Sequence, residues 1–151
     1  MGIKLVAENK KARHDFIILD KYEAGLVLTG SEVKSLREQN ITFKDSYISF
    51  RGDEAFLQNA HISEYKAGGH FNHEPERLRK LLLHRNELNK IMGAIQEKGY
   101  SCVPLKIYFK RGRAKLEIGL AKGKLKGDKR ETIKTRDVNR ELQRQMRHSR
   151  R

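Results

Sequence analysis

Two places in this sequence carry residue types that can bind a metal or act as a nucleophile: the pair His70 and His73, and the single cysteine, Cys102. His70 and His73 are three residues apart, which suits metal ligands on a helix, but two glycines precede them and Pro75 follows. This stretch therefore favours a polar loop over a metal site. Cys102 begins an apolar run with no helix N-terminus apparent beside it. Because a thiol becomes reactive only in electropositive surroundings, we expect Cys102 to be buried and inert.

The rest of the sequence lacks the motifs that the common enzyme classes carry. No glycine-rich phosphate loop, nucleophile elbow or dinucleotide-binding fingerprint is present. Carboxylates are numerous, but none is paired in an apolar context that would shift its pKa, and the single cysteine excludes a disulfide within the chain. We therefore predict a protein that is not an enzyme and uses no cofactor and no metal. A nuclease, which needs paired carboxylates or a histidine pair beside a basic patch, is the enzymatic alternative.

The charge balance of the 151 residues indicates a polyanionic partner. Lys and Arg number 33 against 19 Asp and Glu, which gives a net charge of +14. Two basic clusters, one over residues 9–14 and one around Leu81–Leu83, precede a basic C-terminal stretch. One cluster alone is most simply a solvated face, but several on one small protein favour the neutralisation of many phosphates. No run approaches the length of a membrane-spanning helix and no signal peptide is apparent, so we expect a cytoplasmic protein.

The last 30 residues differ in composition from the rest. Residues 122–151 carry 12 Lys or Arg and 4 acidic residues, with only five sizeable apolar side chains. We therefore expect a folded domain over 1–121 and a basic tail over 122–151 that is disordered alone. One set of tail arginines follows the spacing of a single α-helical face, namely Arg136, Arg140, Arg144, Arg147 and Arg151. This spacing predicts a tail that becomes helical when its arginines meet phosphate, with a membrane-surface helix as the alternative.

The first 121 residues alternate short apolar runs with turn signals. The clearest elements are a hairpin with strands over 47–50 and 55–62, a helix over 85–98, and alternating strands over 103–109 and 116–120. Shorter runs over 15–19 and 26–29 precede a short helix capped by Ser31, and Gly99 suits the end of the long helix. Pro104 indicates an edge position or an irregular strand start. These elements predict a mainly β domain, a small antiparallel barrel with packed helices.

Several blocks of the sequence carry a family resemblance. The most specific blocks are Gly30-Ser31-Glu32-Val33-Lys34-Ser35-Leu36-Arg37 and Arg79-Lys80-Leu81-Leu82-Leu83-His84. Further blocks, in chain order, cover residues 9–15, 22–26, 45–47, 72–75, 99–100, 103–106, 121–124 and 128–130. Together they resemble the SsrA-binding protein family, also called small protein B, from Asn9 to Arg130.

This resemblance implies a fold and a function. The fold would be mainly β with helices, an antiparallel oligonucleotide-binding-like β-barrel with packed helices and a basic C-terminal tail. Such a protein does no chemistry itself but binds the tRNA-like domain of transfer-messenger RNA. With elongation factor Tu it delivers this RNA to stalled ribosomes, where its tail enters the messenger channel and the decoding centre of the small subunit. From composition alone, a general structured-RNA-binding or ribosomal protein with a basic arm is the alternative.

The same resemblance assigns RNA-binding residues to the domain and ribosome-contacting residues to the tail. The implied RNA-binding residues are Asn9, Lys10, Arg13, Glu23, Lys34, Arg37, Arg79, Lys80, Leu82 and His84. The implied ribosome-contacting residues are Lys124, Lys129, Arg130, Lys134, Arg136, Arg140, Arg144 and Arg147. Glu23 is the informative member, because a carboxylate cannot hold phosphate and must instead accept hydrogen bonds from RNA or orient a cation. A cap on the turn before Gly25 is the structural alternative for Glu23.

Overall fold

The computed structural model describes residues 2–66 and 72–124, which form three helices and nine strands. The strands are β1 (Ile3–Glu8), β2 (Phe16–Leu26), β3 (Ile41–Thr42), β4 (Tyr47–Arg51), β5 (Glu54–Gln58), β6 (His61–Ile62), β7 (Arg79–Leu82), β8 (Ser101–Lys110) and β9 (Arg113–Gly123). The helices are α1 (Lys10–Asp15), α2 (Gly30–Arg37) and α3 (Arg85–Lys98).

Seven of these strands form one antiparallel sheet. Their order is β1-β8-β9-β2-β7-β5-β4, while β3 and β6 pair separately as a two-stranded ribbon. The edge strands β1 and β4 are not paired with each other, so the sheet is not closed by hydrogen bonds. The expectation of a mainly β antiparallel fold with a few helices is confirmed, but a closed oligonucleotide-binding-like barrel is not.

The elements with the strongest local signals lie where the sequence predicts them. The long helix spans Arg85–Lys98 and ends at Gly99, whose φ of 69° is the left-handed conformation that glycine adopts without strain. The predicted hairpin is formed by β4 and β5, with Arg51 opposite Glu54. Its second strand is shorter than predicted, because β5 ends at Gln58 and His61–Ile62 forms β6, which pairs with β3 instead. The predicted alternating strands form the β8–β9 hairpin, and its turn at Arg111 and Gly112 has positive φ at both residues.

The N-terminal expectations are corrected in two places. The runs over 15–19 and 26–29 are not separate strands, because β2 continues from Phe16 to Leu26. A bulge between Ile18 and Asp20 shifts the side-chain alternation by one residue, which divides one strand into two apparent runs. The N-cap of helix α2 is Thr29 rather than Ser31. The Thr29 hydroxyl accepts a hydrogen bond from the Glu32 N–H, and the Glu32 carboxylate accepts one from the Thr29 N–H.

Pro104 lies just beyond the end of the β1 pairing. Strand β1 pairs with β8 only from Lys106 to Lys110, so Pro104 has β9 on one side and none of the described strands on the other. The pairing of β8 with β9 also shifts between Pro104 and Lys106, so the sequence expectation of an edge position or an irregular stretch is confirmed. Asn9 stabilises this irregular stretch, since its backbone N–H donates to the Leu105 carbonyl and its side-chain amide donates to the Pro104 carbonyl, each at 2.8 Å.

The central strands bury apolar side chains on both faces, but to different extents. The main core lies on one face and includes Ala24, Ile107, Leu116 and Ile118, covered by α2 and α3. The opposite face holds a smaller cluster under α1, made of Ala12, Val103, Leu105 and Ala121. This smaller cluster covers only one end of the sheet. The remainder of that face, here called the outer face, carries mostly polar and charged side chains, with the exposed leucines Leu5 and Leu82 among them.

Candidate nucleic-acid interface

The outer face is defined by strand alternation on four neighbouring strands. Because Leu116 and Ile118 of β9 point into the main core, their neighbours point to the opposite face. The same alternation applies to β8, β2 and β7. The outer-face residues that this assigns are Lys106, Tyr108 and Lys110 of β8, Lys115 and Glu117 of β9, Glu23 of β2, and Lys80 and Leu82 of β7.

Glu23 lies in the middle of this face, within a strand rather than in a turn, so the capping alternative does not describe it. One of its carboxylate oxygens, Oε2, accepts a hydrogen bond from the Tyr108 hydroxyl and lies 3.4 Å from the Lys110 ammonium. The hydrogen bond from Tyr108, followed by the nearby charges of Lys110 and Lys115, lowers the pKa of Glu23 below its usual range. Glu23 is therefore an ionised hydrogen-bond acceptor on an open surface.

Cations from several elements surround this carboxylate. Lys110 and Lys106 extend from β8 and Lys115 from β9, while Arg13 of α1 lies 3.9 Å from Glu117, the residue directly opposite Glu23. A surface of this kind attracts phosphate through its lysines and arginines and presents one acceptor among them. Of these residues, the sequence-based set included only Arg13 and Glu23.

The β8 and β9 residues of the outer face were missed for a definite reason. Strand alternation predicts these strands, but the resemblance supplies no site residue on them. The alternation itself contains the signal: Lys106, Tyr108 and Lys110 alternate with the buried Ile107 and Phe109. Once the apolar phase of a strand is assigned to the core, its polar phase identifies the surface residues.

The end of the outer face at β7 holds three more of the expected residues. The Leu82 side chain is 54% exposed and packs against Gly25, where an added Cβ would lie 3.4 Å from the Leu82 Cβ. Lys80, two residues earlier on the same face, forms an exposed ion pair with Glu54 at 2.9 Å. His84 is exposed and directly precedes helix α3. An exposed leucine beside cations is a surface on which an RNA base or ribose can pack.

The expected cations of helix α2 lie on the other side of the sheet. Arg37 places its guanidinium 4.7 Å from the ring centroid of Phe109, which belongs to the main-core face of β8. Lys34 lies 5.7 Å from the ring of Tyr65. Both side chains are exposed, so they form a second basic surface that does not adjoin Glu23. Lys10, exposed at the start of α1, lies near the end of the outer face that α1 covers.

Two residues of the expected RNA-binding set are buried and serve the fold. The side-chain oxygen of Asn9 accepts a hydrogen bond from the Ala12 N–H and so caps α1, while its amide holds Pro104. Arg79 has no exposed surface, and its guanidinium donates to Glu32 at 2.7 Å and to the carbonyls of Ala60 and Pro75 at 2.9 Å. In this structure Asn9 and Arg79 therefore stabilise the fold from buried positions, and their assignment to RNA contact stays a prediction.

Glu32 is the centre of a buried ionic network that the sequence did not reveal. Its side chain is fully buried and accepts hydrogen bonds from Arg79 and, at 2.7 Å, from Arg77. Burial alone would raise the pKa of this carboxyl, but the hydrogen bonds from Arg77 and the Thr29 N–H, together with Arg79, lower it to about 2. The network joins α2 to β7 through the Glu32–Arg79 pair. Arg79 also donates to the carbonyls of Ala60 and Pro75, which lie in the segments before and after residues 67–71.

The metal and thiol hypotheses have different outcomes. The ring nitrogens of buried His73 lie 2.8 Å from the Ser31 hydroxyl and from the Ile62 carbonyl, so both are engaged. His70 lies outside the described residues, and residues 2–66 and 72–124 contain no group of side chains arranged to hold a metal ion. Cys102 is buried, and burial raises the pKa of its thiol to about 12, which confirms the expectation of an inert thiol.

The chain leaves the sheet beside the α1 end of the molecule. Strand β9 ends at Gly123, close to the predicted domain boundary near Lys122, and the Lys124 N–H donates to the Asp15 carbonyl at 3.0 Å. The expected tail residues from Lys129 to Arg147 lie outside the described residues, so the predicted tail helix stays a prediction. None of the helices that the structure describes is long and apolar enough to cross a membrane.

Comparison with known proteins gives consistent matches over nearly the whole chain. A family model described as "SmpB protein" matches residues 6–148. The SsrA-binding protein of Bdellovibrio bacteriovorus is 66% identical over 149 residues, covering 99% of this chain and 98% of that protein. The SsrA-binding protein of Shouchella clausii is 57% identical over 141 residues, covering 93% and 90% of the two chains.

A solved structure also matches. It is described as "tmRNA-SmpB: a journey to the center of the bacterial ribosome", and its matching chain is 46% identical to this one with a TM-score of 0.69. The match covers 85% of this chain and 94% of the other. The two chains therefore share their fold.

Proposed function

The chain belongs to the SmpB family, the SsrA-binding proteins, and from this premise we propose that it binds transfer-messenger RNA and delivers it to stalled ribosomes for trans-translation. The observation that carries the proposal is the likeness itself: relatives named SsrA-binding protein match over almost their full length, and the matching structure is described as tmRNA with SmpB in the ribosome. The resemblance inferred from the sequence blocks is thereby confirmed.

The outer face is the surface that we assign to the tRNA-like domain of this RNA. Its cations supply sequence-independent attraction to phosphate, while Glu23 and Leu82 supply an acceptor and an apolar contact that phosphate alone would not need. A purely electrostatic RNA-binding surface has no use for an ionised carboxylate at its centre. We therefore assign Glu23 to specific recognition and the surrounding lysines and Arg13 to affinity.

The second basic surface, on α2, and the C-terminal residues extend the proposal to the ribosome. Lys34 and Arg37 lie away from Glu23, so the protein has cations for two RNA partners at once. We assign the tail over 122–151 to the messenger channel and the decoding centre of the small subunit, and we propose that elongation factor Tu joins the delivery complex. Activity on ribosomes gives the protein a cytoplasmic location.

The protein itself performs no chemistry in this proposal. It acts as an adaptor, because the described residues of the outer face offer hydrogen-bond acceptors, cations and exposed leucines but no arrangement of groups that would activate water. The nuclease alternative predicts cleavage of labelled tRNA-like RNA by the protein in the presence of Mg²⁺. Intact RNA after such an incubation supports the adaptor.

The test is selective binding at defined salt concentrations. The tRNA-like domain of transfer-messenger RNA and a shuffled RNA of equal length should compete for the protein, and we expect the tRNA-like domain to bind more tightly at every salt concentration. Both affinities should fall with salt, at a log–log slope of roughly −0.7 to −0.9 per neutralised phosphate. Equal affinities for the two RNAs would instead support a general RNA-binding protein with a basic arm.

A further inference from the structure

The hydrogen bonds of Glu23 use only one of its two carboxylate oxygens. The Tyr108 hydroxyl and the Lys110 ammonium both contact Oε2, and no donor from the described residues is within hydrogen-bond distance of Oε1. The Glu23 side chain is 39% exposed. The carboxylate is thus held on one side and has a free acceptor on the other.

The Tyr108 side chain is well placed to fix this arrangement. Tyr108 is only 5% exposed. It lies opposite Leu5 on the neighbouring strand β1 and opposite Lys115 on the other neighbour, β9. The Lys106 ammonium lies 5.9 Å from the centroid of the Tyr108 ring. A buried aromatic ring in the middle of a sheet cannot change rotamer freely. The position of the Tyr108 hydroxyl oxygen is therefore a fixed feature of the surface.

The charges around Glu23 explain why a fixed neutral donor matters. The ionisable groups that face it are Lys21 on its own strand, Lys106, Tyr108 and Lys110 on β8, Lys115 and Glu117 on β9, Lys80 on β7 and Arg13 on α1. Without a fixed donor, a mobile carboxylate among these cations would exchange between ion pairs, each of which occupies its oxygens. A tyrosine hydroxyl holds the carboxylate without neutralising its charge.

We propose that Tyr108 is a positioning residue for RNA recognition: its hydroxyl orients the Glu23 carboxylate so that Oε1 accepts a hydrogen bond from an RNA donor. Base amino groups and ribose 2′-hydroxyls are the RNA groups with this chemistry. The inference rests on the proposed function, since it assigns a role within the surface that binds the tRNA-like domain. It adds that affinity depends on how Glu23 is held, and not only on its presence.

The test is a double-mutant cycle measured by binding of the tRNA-like domain. Tyr108→Phe keeps the buried ring and removes only the hydroxyl, and we expect about tenfold weaker binding, the typical loss of one hydrogen bond to a charged group. In the Glu23→Gln background, the same Tyr108→Phe change should have little further effect. With its oxygen toward the Tyr108 hydroxyl, the amide presents an NH2 group in place of Oε1, and this group cannot accept a hydrogen bond from RNA. Equal weakening in both backgrounds would overturn the proposal.

The chain offers a matched control on the same strand as Glu23. The Tyr22 hydroxyl donates to the Asp20 carboxylate at 3.3 Å, so Tyr22→Phe also removes one tyrosine–carboxylate hydrogen bond. We expect RNA affinity to be unchanged in Tyr22→Phe. A second contrast is Lys80→Met, which should weaken binding similarly in both Glu23 backgrounds, since Lys80 pairs with Glu54 rather than with Glu23 and its loss removes attraction to phosphate. Thermal unfolding of each variant verifies that the fold is retained.

The pH profile of binding separates orientation from mere stability. The Tyr108 hydrogen bond is the largest cause of the lowered pKa of Glu23, so its removal should move the loss of binding on acidification to a higher pH. The Glu23→Gln variant supplies the background titration of the RNA and the other groups. Identical acid profiles for the wild type and Tyr108→Phe would contradict the inference. If the wild type itself shows no preference for the tRNA-like domain, the proposed function fails, an outcome distinct from failure of the Tyr108 inference alone.

Discussion

Glu23 and Glu32 are both glutamates surrounded by cations, and the difference between them explains how this molecule uses charge. Glu32 is fully buried between Arg77 and Arg79 and joins α2 to β7. Glu23 lies on the outer face, where Tyr108 and Lys110 hold one oxygen and the other is free. In the buried network, Glu32 accepts hydrogen bonds from both arginines, and Arg79 also donates to backbone carbonyls. On the outer face the cations exceed the carboxylates, and this excess of positive charge is exposed.

The comparison also separates two kinds of arginine that a sequence cannot distinguish. Arg79 is buried and donates hydrogen bonds to the Glu32 carboxylate and to backbone carbonyls. Arg13 is exposed, and its one ionic contact among the described residues is with Glu117 at 3.9 Å. Removing a buried partner leaves an unpaired charge in an apolar interior, while removing an exposed one leaves a solvated group. The first change should affect the stability of the fold and the second should affect affinity for RNA.

The largest expected effect is the loss of the buried network. Arg79→Met should lower the free energy of unfolding by about 3–5 kcal/mol, because Glu32 and two backbone carbonyls lose their donor inside the protein. Urea denaturation measures this change. Arg85→Met is the matched control, since Arg85 pairs with Asp53 at 2.9 Å on the surface and its loss should change the free energy of unfolding far less. A loss for Arg79→Met no greater than for Arg85→Met, accompanied by weaker RNA binding, would restore Arg79 to the RNA surface.

The second prediction concerns stability in acid. The folded-state pKa of Glu32 is about 2, below its ordinary value of 4.5, so the ionised form stabilises the fold above about pH 4.5. This contribution, about 3 kcal/mol, should disappear as the pH falls from 4.5 towards 2. The free energy of unfolding of the wild type should therefore decrease more steeply over this window than that of Glu32→Gln. Parallel curves for the two proteins would show that Glu32 is not held in its ionised form.

Much of this contrast was visible in the sequence, but not all of it. Strand alternation and the spacing of Leu88 and Ile91 predicted the β8–β9 hairpin and α3, because these signals are local. The bulge after Ile18 and the burial of Arg79 depend on neighbours distant in the chain, and no local pattern encodes them. The resemblance supplied Glu23, but only the sheet register brings Tyr108 and Lys110, 85 or more residues away, to its carboxylate.

The third prediction tests the exposed carboxylate of the comparison, Glu23 on the outer face. Glu23→Arg raises the net charge of the outer face by two, so a purely electrostatic interface predicts tighter binding of RNA. We instead expect about tenfold weaker binding of the tRNA-like domain, because the acceptor is lost and Tyr108 has no partner. Shuffled RNA of equal length is the control and should bind equally or more tightly. Tighter binding of both RNAs would reduce the outer face to a simple cationic surface.

The smallest expected effect on RNA affinity is that of the basic tail. Truncation after Gly127 removes the arginines from Arg130 onward but leaves the outer face and α2 intact, so the affinity for the isolated tRNA-like domain should stay within about twofold of the full chain. Peptide tagging on stalled ribosomes should nevertheless fail, because the tail is assigned to the ribosome. A large loss of affinity in the truncated protein would place the tail in the primary RNA site.

A substitution within the tail distinguishes its predicted helix from its charge. Leu142→Pro leaves every arginine in place but disfavours a helix by about 3 kcal/mol. If the arginines act only through their number, tagging should be nearly unchanged, because the net charge is the same. If they must align along one helical face on ribosomal RNA, tagging should be lost while binding of the tRNA-like domain is preserved. Leu142→Ala, which keeps helical propensity, is the matched control and should retain tagging. The tail would then differ from the outer face in one physical respect: the sheet fixes the positions of Glu23 and its cations before RNA arrives, whereas the tail arginines gain their alignment only on the ribosome.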